Sequence, residues 1–180
     1  MLTKAQIRSK ILLTLKTQKE EDRTRKSRII KDKLLRNKVF RKAKIVMFYI
    51  AFGGEVNTEE MIREAKKIGK LICVPVCRKD RETMQPTILE GNAKLKKGPY
   101  GVLEPVAKAQ VKPEDLDLII VPGLAFDREC NRLGRGKGCY DRFLGKLSDT
   151  PSIGLAFDFQ ILPLIPTTAH DVSVNKIIFS

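Results

Sequence analysis

Short, nearly continuous apolar runs separated by helical segments constrain this chain most. Ile45–Ile50 ends at Gly53-Gly54, Leu71–Val76 contains Pro75, and Leu116–Val121 lies between Pro113 and Pro122-Gly123. Ile153–Phe157 and Val172–Phe179 are later runs of the same kind. Runs this short and this apolar suit strands buried on both faces, as in a parallel sheet covered by helices. Between the first two, Thr58–Lys67 turns Met61, Ile62 and Ala65 inward at helical spacing, and a further helix is expected over Tyr140–Leu147. The alternation predicts an α/β fold with a mainly parallel sheet flanked by helices, in a Rossmann-like three-layer arrangement. Pro75 predicts fraying or an edge at that point of its strand, and residues 78–112 read as short strands and loops. Nothing divides the 180 residues into independent units, so one domain over 1–180 is expected.

Residues 3–42 read as two helices. Thr3 and Gln6 fit a capping box, with Ile7, Ile11 and Leu15 on one stripe, Leu12 alongside, and Ile29, Ile30, Leu34, Leu35 and Val39 on the next. Such narrow stripes place both helices on the surface of a core. This segment also carries most of the charge. The chain's net charge is +14, and residues 1–44 hold 16 Lys/Arg against four acids. A basic helical arm on a nearly neutral body implies a polyanionic partner. Nucleic acid is one reading, although eight Phe and three Tyr in the whole chain offer little for base stacking. No run reaches the length of a membrane span. Cys73, Cys77, Cys130 and Cys139 lack zinc-site spacing and read as reduced thiols of a cytoplasmic protein.

The chemistry concentrates after the Leu116–Val121 strand, where open α/β sheets place ligands. There Gly134, Gly136 and Gly138 alternate with Arg135 and Lys137, and Arg132 stands just before them. Glycines permit positive φ, and successive N–H groups then form an anion-holding nest. Arg and Lys add cationic donors, so the loop is suited to phosphate, although it is neither a Walker A loop nor GxGxxG. Its plain alternative is a solvated basic turn. Asp141, near the start of the next helix, suits Mg²⁺ beside phosphates or a helix dipole. Asp171 is a second metal candidate or a turn cap. His170, the lone histidine, gains no role from that fact. Lys4 and Arg8 lie at i and i+4, so one helix face presents both cations.

The stretch Pro122-Gly-Leu-Ala-Phe-Asp127 followed by Arg132-Leu-Gly-Arg-Gly-Lys-Gly-Cys-Tyr-Asp141 resembles the signature of the 5-formyltetrahydrofolate cyclo-ligases, also called 5,10-methenyltetrahydrofolate synthetases. The resemblance extends to Lys4-Ala-Gln-Ile-Arg8, Gly54-Glu-Val-Asn-Thr58 and His170-Asp-Val-Ser-Val174. It implies an enzyme that uses ATP and Mg²⁺ to convert 5-formyltetrahydrofolate into 5,10-methenyltetrahydrofolate, acting as a monomer. It implies ATP contacts from Lys4, Arg8, Arg132, Leu133, Gly134, Arg135, Gly136, Lys137, Gly138, Cys139 and Tyr140. Folate contacts fall on Ile50, Glu55 and residues 135–139, metal carboxylates on Asp141 and Asp171, and the catalytic cations on Arg135 and Lys137. A small-molecule kinase with another acceptor is a further reading of the same scaffold. Three positions depart from the family pattern. Cys139 replaces the first Tyr of a pair, Cys130 stands where Gly is usual, and Asn175 where Asp is common.

Overall fold

The computed structural model describes residues 2–77, 83–91, 94–98, 101, 103–106 and 109–180. Its centre is a six-stranded sheet in the order β11-β9-β6-β1-β2-β3. The strands are β1 (Ile45–Met47), β2 (Leu71–Cys77), β3 (Met84–Ile88), β6 (Leu118–Val121), β9 (Ser152–Ala156) and β11 (Lys176–Phe179). All neighbours pair in parallel except β2 with β3. A two-stranded ribbon, β4 (Leu95–Lys97) with β5 (Leu103–Pro105), follows the antiparallel edge. The chain steps from β1 outward to β2 and later returns on β1's other side with β6. This reversal makes the β1–β6 boundary a topological switch point, where a crevice opens beyond the strand ends.

Strand alternation sorts the core into two layers. Val46, Phe48, Leu118 and Ile120 face one cluster, and Met47, Ile119 and Val121 face the other. The first is covered by α1 (Lys4–Thr17), α2 (Glu20–Arg36), α3 (Lys38–Lys42) and α4 (Glu59–Lys67). Among the described residues, the second is covered by one short helix, α5 (Cys139–Leu144), together with Phe126 and Val174. The three layers are therefore unequal, and the thin side is where the glycine loop lies.

Several boundaries differ from the sequence expectation. The N-terminal segment forms three helices, because Asn37 ends α2 and its side chain then accepts from Val39 and Phe40 N–H to cap α3. These helices are built into the core, with Ile7, Ile11, Leu15, Ile30 and Leu34 all buried. Each such side chain contributes about 1.5–3 kcal/mol of apolar transfer. The first strand stops at Met47, although Phe48 N–H still reaches Cys73 O at 2.8 Å. The last strand begins at Lys176, with residues 172–175 in a loop, and α5 ends at Leu144. Pro75 is in an interior strand, but β1 pairs only with residues 71–73. Opposite, Pro75 meets Pro86 of β3. Leu89 N–H donates to Ile72 O, which puts the two prolines at a non-hydrogen-bonded pair where neither N–H is missed. Pro75 is thus at a local edge. The expected short strands fall on β3 to β5, while residues 78–82, 92–93, 99–100, 102 and 107–108 lie outside the described residues. No described helix is long and apolar enough to cross a membrane.

Candidate active site

Beyond the carboxyl ends of β1, β2 and β6 lies a cavity of about 930 Å³. A second, three-stranded sheet builds one wall: β7 (Ala125–Asp127) pairs with β8 (Arg132–Leu133) and with β10 (Ile161–Leu162). The stretch between Gly123 and the glycine loop is therefore a hairpin and not part of the loop. Asp127 is the reason. Its buried carboxylate accepts from Glu129, Asn131 and Ile165 N–H and from Asn131 Nδ2. The hairpin turn places Cys130 at φ 64°, the only positive φ on a non-glycine among the described residues. The expected left-handed conformation at this departure is present, and it costs about 1 kcal/mol or more.

Helix α1 braces both sides of the cavity. Gln18 Nε2 donates to Gly54 O at 2.7 Å. Gly54 has φ 86°, and a Cβ there would meet Leu15 O at 2.3 Å, so the turn before Glu55 requires glycine. One turn from the other end, Arg8 Nε donates to Gly134 O at 3.0 Å. The loop itself turns through positive φ at Gly136 and Gly138, the second just before Cys139 starts α5. Thr3 and Gln6 form the expected capping box at the start of α1, which holds Lys4 in its first turn.

Three ion pairs organise the charges. Lys4 Nζ binds Asp171 Oδ2, whose carboxylate also accepts from Thr168 N–H at 2.6 Å and Oγ1 at 2.9 Å. Burial opposes ionisation of Asp171, but Lys4 and Thr168 outweigh it and hold the carboxyl below its ordinary value. Arg132 Nη2 donates to Asp141 Oδ1 at 2.7 Å, and Val172 N–H reaches the same oxygen at 3.3 Å. Arg135 donates to Glu55 Oε1 from Nη2 at 2.9 Å and from Nε at 3.2 Å. Its guanidinium stacks 4.1 Å above Phe52, while Glu55 Oε2 accepts Phe52 N–H. Burial raises the Glu55 carboxyl above its ordinary value, with Arg135 pulling it back only in part.

The predicted residues come together around one cavity. Lys4 reaches the site through Asp171, and Arg8, Ile50, Glu55, Arg132–Asp141 and Asp171 all line the cavity. Glu55 is buried under Arg135. The Arg132 side chain is 3% exposed and pinned to Asp141. Leu133 is core, and its carbonyl is taken by Leu124 N–H at 2.7 Å. Lys137 is exposed and has no ion-pair partner among the described residues. Asn175 uses its Oδ1 to accept from Ser152 N–H and Oγ, a tie between β9 and β11 that an Asp would make equally. Sequence reasoning missed Phe52, Cys77, Leu103 and Glu104, which also line the cavity. Phe52 was within reach, three residues before Glu55 in the same turn. The others come from the β2–β5 region, where no motif marks them.

Comparison with known proteins gives this geometry a family. Across residues 1–180 the chain matches the 5-formyltetrahydrofolate cyclo-ligase family. It is 30% identical to the mouse (Mus musculus) 5-formyltetrahydrofolate cyclo-ligase, over 96% of this chain and 91% of the relative. It is 32% identical to that of Haemophilus influenzae, over 77% and 76% respectively. Among solved structures, the Aquifex aeolicus 5,10-methenyltetrahydrofolate synthetase superposes with a TM-score of 0.87 at 34% identity, covering 99% of this chain and 90% of that one. A Mycoplasma pneumoniae 5,10-methenyltetrahydrofolate synthetase shares the fold, with a TM-score of 0.80 at 23% identity over 98% of each chain. The chain therefore belongs to the 5-formyltetrahydrofolate cyclo-ligase family.

Proposed function

We propose that this protein uses ATP and Mg²⁺ to convert 5-formyltetrahydrofolate into 5,10-methenyltetrahydrofolate, releasing ADP and phosphate. One observation carries the reading. Four segments far apart in sequence, namely α1, the turn at Glu55, the glycine loop and the Asp171 turn, meet around one cavity at the switch point of the sheet.

The donor set suits a magnesium nucleotide. Asp141 and Asp171 border the same cavity as Arg132, Arg135 and Lys137. No group of three or more His, Cys, Asp or Glu among the described residues could hold a metal unaided. That favours Mg²⁺ held by one or two carboxylates plus phosphate oxygens over an all-protein cage. When bound, Mg²⁺ neutralises phosphate charge and orients the transferred group. In each of the three ion pairs a cation suited to phosphate faces a carboxylate suited to metal or pterin. A nucleotide–metal complex carries both signs, so it can take over each partner without leaving a buried charge alone. Two buried polar atoms, Arg132 Nε and Tyr140 Oη, have no hydrogen-bond partner among the described residues, and a ligand here would satisfy them.

In this mechanism the formyl oxygen attacks the γ-phosphorus of ATP, and the ADP oxygen leaves. N10 then attacks the activated carbon, which closes the ring, and loss of the N10 proton and of phosphate leaves the methenyl bridge. Arg135 and Lys137 stabilise the charge on the transferring phosphoryl group. Glu55 accepts hydrogen bonds from the pterin amino and ring N–H groups once Arg135 turns to phosphate. Phe52 and Ile50 supply apolar surface beside it.

The test is growth of methenyl absorbance with protein, ATP, Mg²⁺ and 5-formyltetrahydrofolate. It should vanish when any one is omitted and fall steeply in Arg135→Ala and Lys137→Ala. Turnover without ATP, or normal turnover in both variants, overturns the reading. Steep salt-dependent binding to RNA, with no ATP effect on melting, would favour the basic-helix alternative.

A further inference from the structure

Arg135 rests on a seat built by a single turn of the chain. Its Nη2 and Nε donate to Glu55 Oε1 at 2.9 Å and 3.2 Å, and its guanidinium lies 4.1 Å from the centre of the Phe52 ring. Gly53, between those two residues, has φ 60°, and a Cβ there would stand 3.1 Å from Arg135 Nη2. The turn is held from behind. Gln18 Nε2 donates to Gly54 O at 2.7 Å, and Arg23 Nε donates to Glu55 O at 3.0 Å. Phe52 N–H donates to Glu55 Oε2 at 3.3 Å, which fixes the carboxylate relative to the ring. Arg135 comes from elsewhere in the chain, between Gly134 and the left-handed Gly136. Its side chain is 34% exposed, against 7% for Glu55. The seat is therefore the fixed part, and the arginine is the part that can leave.

The chemistry of the seat fits a second occupant. A guanidinium offers N–H donors along one edge and a flat face that stacks on aromatic rings. The aminopyrimidine half of a pterin contains the same N–C(NH₂)–N unit, with amino and ring N–H donors along one edge and a flat face. A carboxylate beside an aromatic ring accepts either group, and one seat holds one of them at a time.

We infer that Arg135 occupies the pterin seat as a stand-in for the substrate, and that nucleotide phosphate draws it off, so that nucleotide binding precedes and strengthens folate binding. This rests on the cavity being the site of ATP and reduced folate. Arg135 and Lys137 border the same cavity, and a guanidinium pairs with phosphate through two parallel hydrogen bonds. Nucleotide alone takes Arg135 and leaves the buried Glu55 carboxylate without its cation, which is costly. Folate alone covers Glu55 and leaves the guanidinium without its carboxylate. With both bound, phosphate holds Arg135 and the pterin edge holds Glu55. Each ligand thus removes the cost that the other meets, and the coupling is reciprocal.

The experiment measures binding of 5-formyltetrahydrofolate to the full chain by equilibrium dialysis, with and without a non-hydrolysable ATP analogue and Mg²⁺. The analogue should lower the folate Kd by about 5–150-fold, the usual range for coupled sites. In Arg135→Ala, folate alone should bind more tightly than it does to the parent, and the analogue should change its Kd by less than about twofold. A second measurement needs no folate. The chain has no Trp, so Phe52→Trp gives a single reporter under the guanidinium. Its emission should shift when the analogue binds, and should not shift in Phe52→Trp/Arg135→Ala. A folate Kd that the analogue leaves unchanged or raises overturns the proposal. So does full coupling in Arg135→Ala, or an equal emission shift in the double variant. Parent protein that forms the methenyl product with uncoupled binding defeats this inference alone. Parent protein that binds no folate under any condition and forms no methenyl product defeats the enzymatic reading, and this inference with it.

Discussion

Removing the carboxylate of Asp141 should cost this protein more than removing its arginine partner. Arg132 is 3% exposed and Asp141 is 19% exposed. The arginine enters from β8 inside the wall, and its Nε has no hydrogen-bond partner among the described residues. In Asp141→Ala the guanidinium keeps a 3.5 Å contact from Nη1 to Pro122 O and its place over the Tyr140 ring, neither of which neutralises its charge. Breaking a buried pair so that one charge remains costs about 3–5 kcal/mol. The exposed fifth of Asp141 admits water, so the lower end, about 3 kcal/mol, applies. At this chain length each kcal/mol lowers Tm by about 2–4 °C, which gives a fall of about 6–12 °C. Arg132→Met leaves the more accessible carboxylate, still held by Val172 N–H, and should cost less. The double variant Arg132→Met/Asp141→Leu buries no charge and should recover much of the loss without recovering turnover. Urea unfolding of all four proteins completes the cycle. An Asp141→Ala melting point within about 1 °C of the parent would refute the argument, as would strict additivity in the double variant.

Arg135→Ala should move the Glu55 titration further upward, because it deletes the charge and hydrogen bonds that partly offset burial; a carbon-13 carboxyl titration that stays put or moves down would contradict this. Since the folded Glu55 value is above the unfolded one, its contribution to stability is present at low pH and lost as pH rises through the raised value. Glu55→Gln should remove that slope from the pH–stability profile measured by urea unfolding. Asp171 has the opposite sign. Its folded value is depressed, so its contribution is present above the ordinary Asp range and lost as pH falls through the lowered value. Lys4→Met should flatten that acid limb, and an unchanged limb would show that the pair does not couple to folding. Gly154→Ala would place a Cβ 2.4 Å from Cε1 of the fully buried Phe126. Overpacking of this kind costs about 1–3 kcal/mol, read as a lower urea midpoint at unchanged m.

The strand runs were legible because a strand buried on both faces must be apolar throughout, and Leu118–Val121 is completely buried. The Thr3–Gln6 cap and α4 were legible for similar local reasons. Boundaries shifted where a single side chain decides them, as Asn37 does between α2 and α3. The hairpin at residues 125–133 was hidden because its organiser, Asp127, takes a hydrogen bond from Ile165, far along the chain.

What the sequence determined by itself is chemistry: which residues carry charge, where glycine frees the backbone, and which signature they spell. Only the tertiary structure decided the partners. Lys4 and Asp171, at opposite ends of the chain, form one ion pair, and Arg135 covers Glu55 instead of pointing into solvent. The physical reason is that burial and pairing are properties of positions in space. Residue type sets the charge, but the packing of α1 against the hairpin and the Gly54 turn decides which opposite charge each one meets.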